Sequence, residues 1–501
     1  MKKRFIVGKK FILSIDLGTT GNRVFCFDDK GKSISSAYRE FTQHFPKPGW
    51  VEHDAMEIWH SVCGLIPEAI EKGGLSPKDV ISIGITNQRE TAMLWDRETG
   101  KPVHNAIVWQ CRRTVDICNN LKKAGHEDLF RNTTGLVIDA YFSGTKVKWL
   151  LDNVAGVRNM ADEGKLLFGT IDTWILWKLT GGASHMTDYS NASRTLMYDI
   201  RKKEWAAELL DLLTVPRSLL PGVGPSASEF GKTKNAPYLP DGITIGGIAG
   251  DQQAAMVGQN CVFDGTSKNT YGTGCFLLVN NGSNFTISQN GLLTTLACDS
   301  KGQPAYALEG SVFIAGAVIQ WLRDYMKFFE KSSESEAMAS SVTTADEVVF
   351  IPAFVGLGAP HWNMEARGAI FGITRDTRRE QIIRAALKSI ALQTMDLIDA
   401  MKQDTGKNIK ELRVDGGATG NKFLMQFQAD ILNIPVLLPE NTESTALGAA
   451  YLAGITGGLY NSLDEIAVNN TIATRFEPKM DETRRNAEKK LWKEAIQRLV
   501  K

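Results

Sequence analysis

Two short glycine–threonine turns, far apart in the chain, each stand between a pair of strand-like runs. Phe11–Ile15 leads into Asp16-Leu17-Gly18-Thr19-Thr20 and resumes at Val24–Phe27. Lys268–Tyr271 leads into Gly272-Thr273-Gly274 and resumes at Cys275–Val279. Strand–turn–strand at both places, in a chain of 501 residues, predicts two halves built alike. Their sequences share almost no identity, so the repeat is one of pattern. Successive backbone N–H groups in such turns make anion-binding concavities, and threonine hydroxyls add donors. One turn of this kind is an ordinary hairpin; two, each beside a strand that ends near an Asp, point to a polyphosphate gripped from both sides.

The rest of the pattern extends this plan. Ser33–Tyr38 continues a meander after the first hairpin. A helix starts at about residue 55, with Asp54 and Glu57 as a capping-box-like entry and Ile58, Val62, Leu65, Ile66 and Ala69 at helical spacing. Pro67 predicts a kink or an end there. Val80–Ile85 reads as a parallel strand that delivers Asn87-Gln88-Arg89-Glu90 at its C-terminal edge, where ligands gather in α/β sheets. Helices are expected near 312–328 and 378–402. A strand is expected at Leu412–Asp415, entering Gly416-Gly417, then a small-residue helix over Thr442–Gly454 and a solvated amphipathic helix in the last fifty residues. Alternating strands and helices in both halves predict an α/β chain of two domains, 1–255 and 256–501, with the boundary inside 251–262 and a ligand cleft between them.

Lys plus Arg number 57 against 56 Asp plus Glu, a balance that offers no general pull on nucleic acid or an anionic membrane. Lys9-Lys10 breaks the first apolar run, and no stretch approaches the roughly 20 apolar residues of a membrane span. Seven cysteines without a C-x-x-C fit a reducing, cytoplasmic setting, and seven histidines without an H-x-x-x-H argue against a caged transition metal. No G-x-x-x-x-G-K-[ST] occurs, which excludes a P-loop kinase.

The stretch Ile245-Gly-Gly-Ile-Ala-Gly-Asp251-Gln252 ends an apolar, glycine-broken strand in one carboxylate, where a general base for a bound hydroxyl can sit. Asp251 as the cap of a helix starting at Gln252 is the competing reading. Long segments accompany it: Pro46–His53, Gly84–Glu90, Ile107–Arg113, Tyr141–Trp149, Asn269–Phe276 and Gly368–Thr374. On these segments, from about residue 11 to about 455, the chain resembles the carbohydrate-kinase (FGGY) family on the actin/Hsp70 ATPase superfold. Within that family it is most similar to the branch that phosphorylates glycerol.

The resemblance implies two ribonuclease H-like (actin-like ATPase) domains with an interdomain cleft, and ATP and Mg²⁺ as cofactors. ATP, ADP and glycerol are the implied small-molecule partners, in a homo-oligomer, dimer or tetramer. Asp16 would hold Mg²⁺, largely through water. Thr19, Thr20, Gly21, Arg23 and Thr273 would contact phosphate, and Gly316, Gln320, Gly417, Ala418 and Asn421 the adenosine end. Arg89, Glu90, Tyr141 and Gln252 would bind the polyol between walls formed by Trp109 and Phe276, with Asp251 as base. Other readings stand beside these: Asp16 satisfying its own turn, Arg23 in a salt bridge, Arg89–Glu90 as a surface ion pair, the two aromatics as core. Another polyol or a ketose as substrate, or a nucleotide-dependent chaperone-like protein of the same superfold, are the alternatives at the level of function.

Overall fold

The computed structural model describes residues 10–342, 347–363, 365–466 and 471–500. Strands β1 (Phe11–Leu17), β2 (Gly21–Phe27) and β3 (Ser33–Glu40) form the antiparallel meander. Beside β1 lie two parallel strands, β4 (Val80–Asn87) and then β6 (Thr244–Gly250), with β5 (Ala227–Lys232) antiparallel at the edge. The second sheet contains β7 (Ser267–Tyr271), β8 (Cys275–Gly282), β9 (Leu293–Cys298), β10 (Pro304–Val312), β11 (Leu412–Asp415), β12 (Val436–Pro439) and β13 (Ile472–Phe476).

The two sheets carry one topology. The order β3-β2-β1-β4-β6 in the first matches β10-β8-β7-β11-β12 in the second. In each, the first three strands of the unit are antiparallel neighbours, while the fourth and fifth run parallel to the first. This is the expected ribonuclease H-like arrangement, present twice. Both turns therefore sit at the same place in their sheets, at the C-terminal edge of the first strand.

Helix α1 (Ala55–Lys72) starts as expected on Asp54, whose carboxylate accepts from the N–H groups of Met56 and Glu57. The capping box is only half made, because Glu57 turns instead to the N–H and hydroxyl of Thr42. Of the two expected outcomes at Pro67, an end to the helix does not occur: the proline lies inside α1. Its missing N–H and ring clash cost about 3 kcal/mol. Burial of Leu65, Ile66, Ala69 and Ile70 around it outweighs that cost, at about 1.5–3 kcal/mol for a large aliphatic side chain.

Helix α2 (Asp251–Gly258) begins at Asp251 itself rather than at Gln252. The helix expected at 312–328 is shorter: β10 holds its pairing with β8 up to Val312, and α3 spans Gly316–Asp324. Helix α4 covers Arg379–Thr405.

Helix α5 (Ser444–Thr456), the expected small-residue helix, belongs to the second half by chain order but packs on the first sheet. Ser14 donates to the Ala446 carbonyl at 2.7 Å and Thr456 to that of Gly246 at 2.6 Å. A Cβ on Gly448 would overlap the Ala254 carbonyl, and one on Gly258 the Ser444 carbonyl, so α2 and α5 touch backbone to backbone. The last fifty residues hold β13 as well as α6 (Glu482–Val500), the expected amphipathic helix. Its Trp492, Ala495 and Ile496 insert into the second core, and Glu488 pairs with Lys388 at 2.5 Å. Among the described residues no helix is long and apolar enough to cross a membrane.

Candidate active site

The end of β4 brings Arg89 and Glu90 inward, and neither is a surface group: each is 2% exposed. The chain turns there through a left-handed residue, Glu90, at φ 62°. A non-glycine residue held in this region is strained, and such strain gathers at functional sites. The Arg89 guanidinium is met from several sides. Its Nε pairs with Asp251 Oδ1 at 3.2 Å, Nη1 donates to Glu309 Oε2 at 2.6 Å and to Gln253 at 3.2 Å, and Nη2 donates to Glu309 Oε1 at 3.2 Å. Arg194, fully buried, donates to Glu90 Oε1 at 2.6 Å and to Glu309 Oε1 at 3.0 Å. Gly250 explains its own identity, since a Cβ there would lie 2.6 Å from Arg89 Cγ.

Asp251 is the open member of this group, with 34% of its side chain exposed. Its Oδ1 also accepts from the Gln252 N–H at 2.7 Å, so the base position and the helix-entry position are the same residue. The Gln252 side-chain oxygen accepts from Lys268, whose ammonium also donates to Thr270 at 2.9 Å. Burial pushes that ammonium's pKa down, opposed by Asp415 and Asp251. Tyr141 and Trp109 are half-buried and meet edge to face, centroids 5.6 Å apart. Tyr141 also packs against the hydrophobic cluster around Phe142 and Val147. Phe276, also half-buried, lies on β8 opposite Thr270.

The first turn is closed by Gly18 N–H to Gly21 O at 3.1 Å and braced from behind. Gln88 donates to Gly18 O and Gln43 to Thr19 O, both at 3.1 Å, and His53 is hydrogen-bonded to both glutamines. Burial lowers the His53 pKa to about 3, so the ring braces the turn as a neutral group. Trp109 Nε1 donates to Thr19 Oγ1 at 3.0 Å, a direct link between the aromatic wall and the turn. Thr20 is exposed at the tip. Gly21 is fixed by packing, because a Cβ would lie 2.6 Å from the Tyr38 ring. Arg23 stands opposite Asp16 in register but is paired with Glu443 at 2.8 Å, the salt-bridge reading. Burial raises Asp16 to about 7, with Arg23 opposing and Asp251 and Glu443 adding to the shift. A part-buried carboxylate with two further carboxylates near it is the oxygen donor that a hydrated divalent cation takes. No cluster of three or more His, Cys, Asp or Glu able to cage a metal occurs among the described residues.

The second turn, closed by Gly272 N–H to Gly274 O at 2.9 Å, opens onto a cavity of about 510 Å³. Thr273, Gly316, Gln320, Gly417, Ala418 and Asn421 all line it. Gly316 is bonded to the turn itself, its N–H 3.0 Å from Gly272 O. Asn421 has a second task, capping the helix Lys422–Leu432 through Leu424 N–H at 3.0 Å. Thr19, Thr20, Gly21 and Arg23 are not part of this lining and belong to the first turn alone.

Sequence reasoning missed Arg194, Glu309 and Lys268. Glu309 carried a signal: it is the one charged residue in Pro304–Val312, and a lone charge in an apolar strand needs a buried partner. Arg194 carried none.

The family model for the N-terminal domain of the FGGY family of carbohydrate kinases matches residues 11–258, and the model for the C-terminal domain matches 267–457. The chain is 58% identical to a glycerol kinase of Leptospira biflexa over 491 residues, 98% of this chain and 99% of that protein. It is 55% identical to a glycerol kinase of Bacillus cereus over 489 residues, again 98% and 99%. The crystal structure of Plasmodium falciparum glycerol kinase with ADP superposes with a TM-score of 0.93 at 37% identity, over 98% of each chain. With both domain models matched and relatives this similar from end to end, the chain belongs to the FGGY family of carbohydrate kinases.

Proposed function

We propose that this protein transfers the γ-phosphoryl group of ATP to a primary hydroxyl of glycerol, giving sn-glycerol 3-phosphate, with Asp251 as the general base. One observation carries the reading: Asp251, with a third of its side chain exposed, is bonded to the buried Arg89 guanidinium that Glu309 of the second sheet also grips, so an accessible carboxylate stands where the two halves meet. The glycerol kinases that the chain resembles over nearly its whole length support glycerol as the substrate.

In this mechanism Arg89 donates to one glycerol hydroxyl and Glu90 accepts from another, while Tyr141 and Gln252 do either. Trp109 and Phe276 cover the carbon chain. Asp251 takes the proton as the hydroxyl oxygen bonds to the γ-phosphorus, and the bond from that phosphorus to the β–γ bridging oxygen breaks, releasing ADP. Threonines and N–H groups of the two turns hold the phosphates, and residues around the 510 Å³ cavity receive the adenosine end. Phosphoryl transfer depends chiefly on such positioning and charge stabilisation. Mg²⁺, which neutralises phosphate charge, would be held by Asp16 through water.

The reading also takes 1–255 and 256–501 as the two domains, with α5 crossing over to the first. A cytoplasmic location fits seven cysteines that are all unpaired. A homo-oligomer, dimer or tetramer, completes it and is checked by light scattering.

ATP turnover measured with and without glycerol, and across a panel of polyols and ketoses, tests the activity. Strong stimulation by glycerol is expected; equal turnover without any polyol, or preference for a ketose, would overturn it. Gly250→Ala is expected to raise the glycerol KM about tenfold, because small-to-large changes in packed sites cost about 1–3 kcal/mol and the displaced Arg89 stem has no free side to move to. An unchanged KM in that variant would show that Arg89 does not bear on the polyol. Glycerol with a non-hydrolysable ATP analogue is expected to bring the turns together on one nucleotide and compact the particle in small-angle scattering.

A further inference from the structure

The four buried charges of the Arg89 cluster come from both halves of the chain. Arg89 and Glu90 follow β4, Arg194 lies in the first half, and Glu309 projects from β10 of the second sheet. All four are 2% exposed or less. We propose that Glu309 and Arg194 are positioning residues for polyol recognition: Glu309 clamps the Arg89 guanidinium and Arg194 clamps Glu90, so the polyol pair of one half is completed by a carboxylate of the other. This rests on the reading of Arg89 and Glu90 as polyol-binding residues.

The donor count supports it. An arginine has five N–H donors in a rigid fork. Glu309 takes one from each terminal nitrogen, Gln253 takes another from Nη1 and Asp251 pairs at Nε. One Nη2 donor is left, and its direction is set by the two-point grip of Glu309. On Glu90, Arg194 occupies Oε1, which leaves Oε2 as the acceptor for a hydroxyl. The Arg194 guanidinium also lies 5.5 Å from the centre of the Tyr141 ring and reaches Glu309 at 3.0 Å, so it touches both buried carboxylates and the tyrosine. Without a carboxylate between them, the two guanidiniums would repel across a dry interior. Burial raises the Glu309 carboxyl, but Arg194 and Arg89 outweigh it and hold it at about 2, so the clamp is charged throughout the working range.

The test is steady-state kinetics of the full chain carrying Glu309→Gln, which keeps size and one acceptor but loses the charged two-point grip. A glycerol KM at least about tenfold higher, with the ATP KM within about twofold, is expected. Glu309→Asp, which keeps the charge but not the reach, should fall between the two, a graded rescue that a purely structural role would not produce. A wild-type glycerol KM in Glu309→Gln, or equal rises in both KM values, would overturn the proposal. Should Glu309→Gln not fold, the same KM split is read on Glu309→Asp, and a wild-type glycerol KM there overturns it. Arg89→Lys run in parallel separates the two levels. If its glycerol KM is unchanged, the polyol reading itself fails; if it rises while Glu309→Gln does not, only the clamp fails.

Discussion

Asp251→Asn is expected to lower kcat by about 10²–10⁴, the usual worth of a positioned general base. Asn keeps the shape, and its side-chain oxygen can still accept from the Gln252 N–H, which is 2.7 Å from Asp251 Oδ1. It can also still meet Arg89. The ability to take up a proton is lost, and with it one negative charge beside a buried guanidinium. Glycerol affinity should therefore change far less than turnover. A kcat near that of the wild type would remove Asp251 from the chemistry and leave it as the first residue of α2.

Arg194→Met is expected to be the most damaging change to stability, by about 3–5 kcal/mol, because it breaks a buried ion network and leaves carboxylates uncompensated. Glu90 would keep only the Arg89 contact at 3.8 Å, and Glu309 would lose its 3.0 Å partner. The deficit should depend on pH. Burial already raises the Glu90 carboxyl against the pull of Arg89 and Arg194, and removal of Arg194 raises it further. A carboxyl whose folded pKa lies above its unfolded value is favoured by the fold when protonated. Its cost is complete at high pH and shrinks as pH falls through the folded pKa. Denaturant unfolding at successively lower pH should show the gap to wild type narrowing. A constant gap would mean that lost packing, not charge, accounts for the effect.

Much of the site was legible because its residues stand at the ends of strands. Asp16, the Arg89-Glu90 pair and Asp251 each close or follow an apolar run that fixes where a side chain can emerge. The doubled strand–turn–strand pattern likewise announced two like sheets. Some expectations failed where a local rule met a larger packing term. Pro67 stays inside α1 because its neighbours are buried, and the helix expected from residue 312 starts only at Gly316 because β10 holds its pairing to Val312.

What the sequence by itself determined was the set of elements and the chemistry at their ends, since both depend on neighbours a few residues away. What only the tertiary structure decided was partnership. Glu90 finds Arg194 at a separation of 104 residues and Arg89 finds Glu309 at 220, while Ser14 meets α5 across 432. Such pairs leave no local period to read. They exist because a charge or hydroxyl buried on one element must be answered by whichever element the fold lays against it.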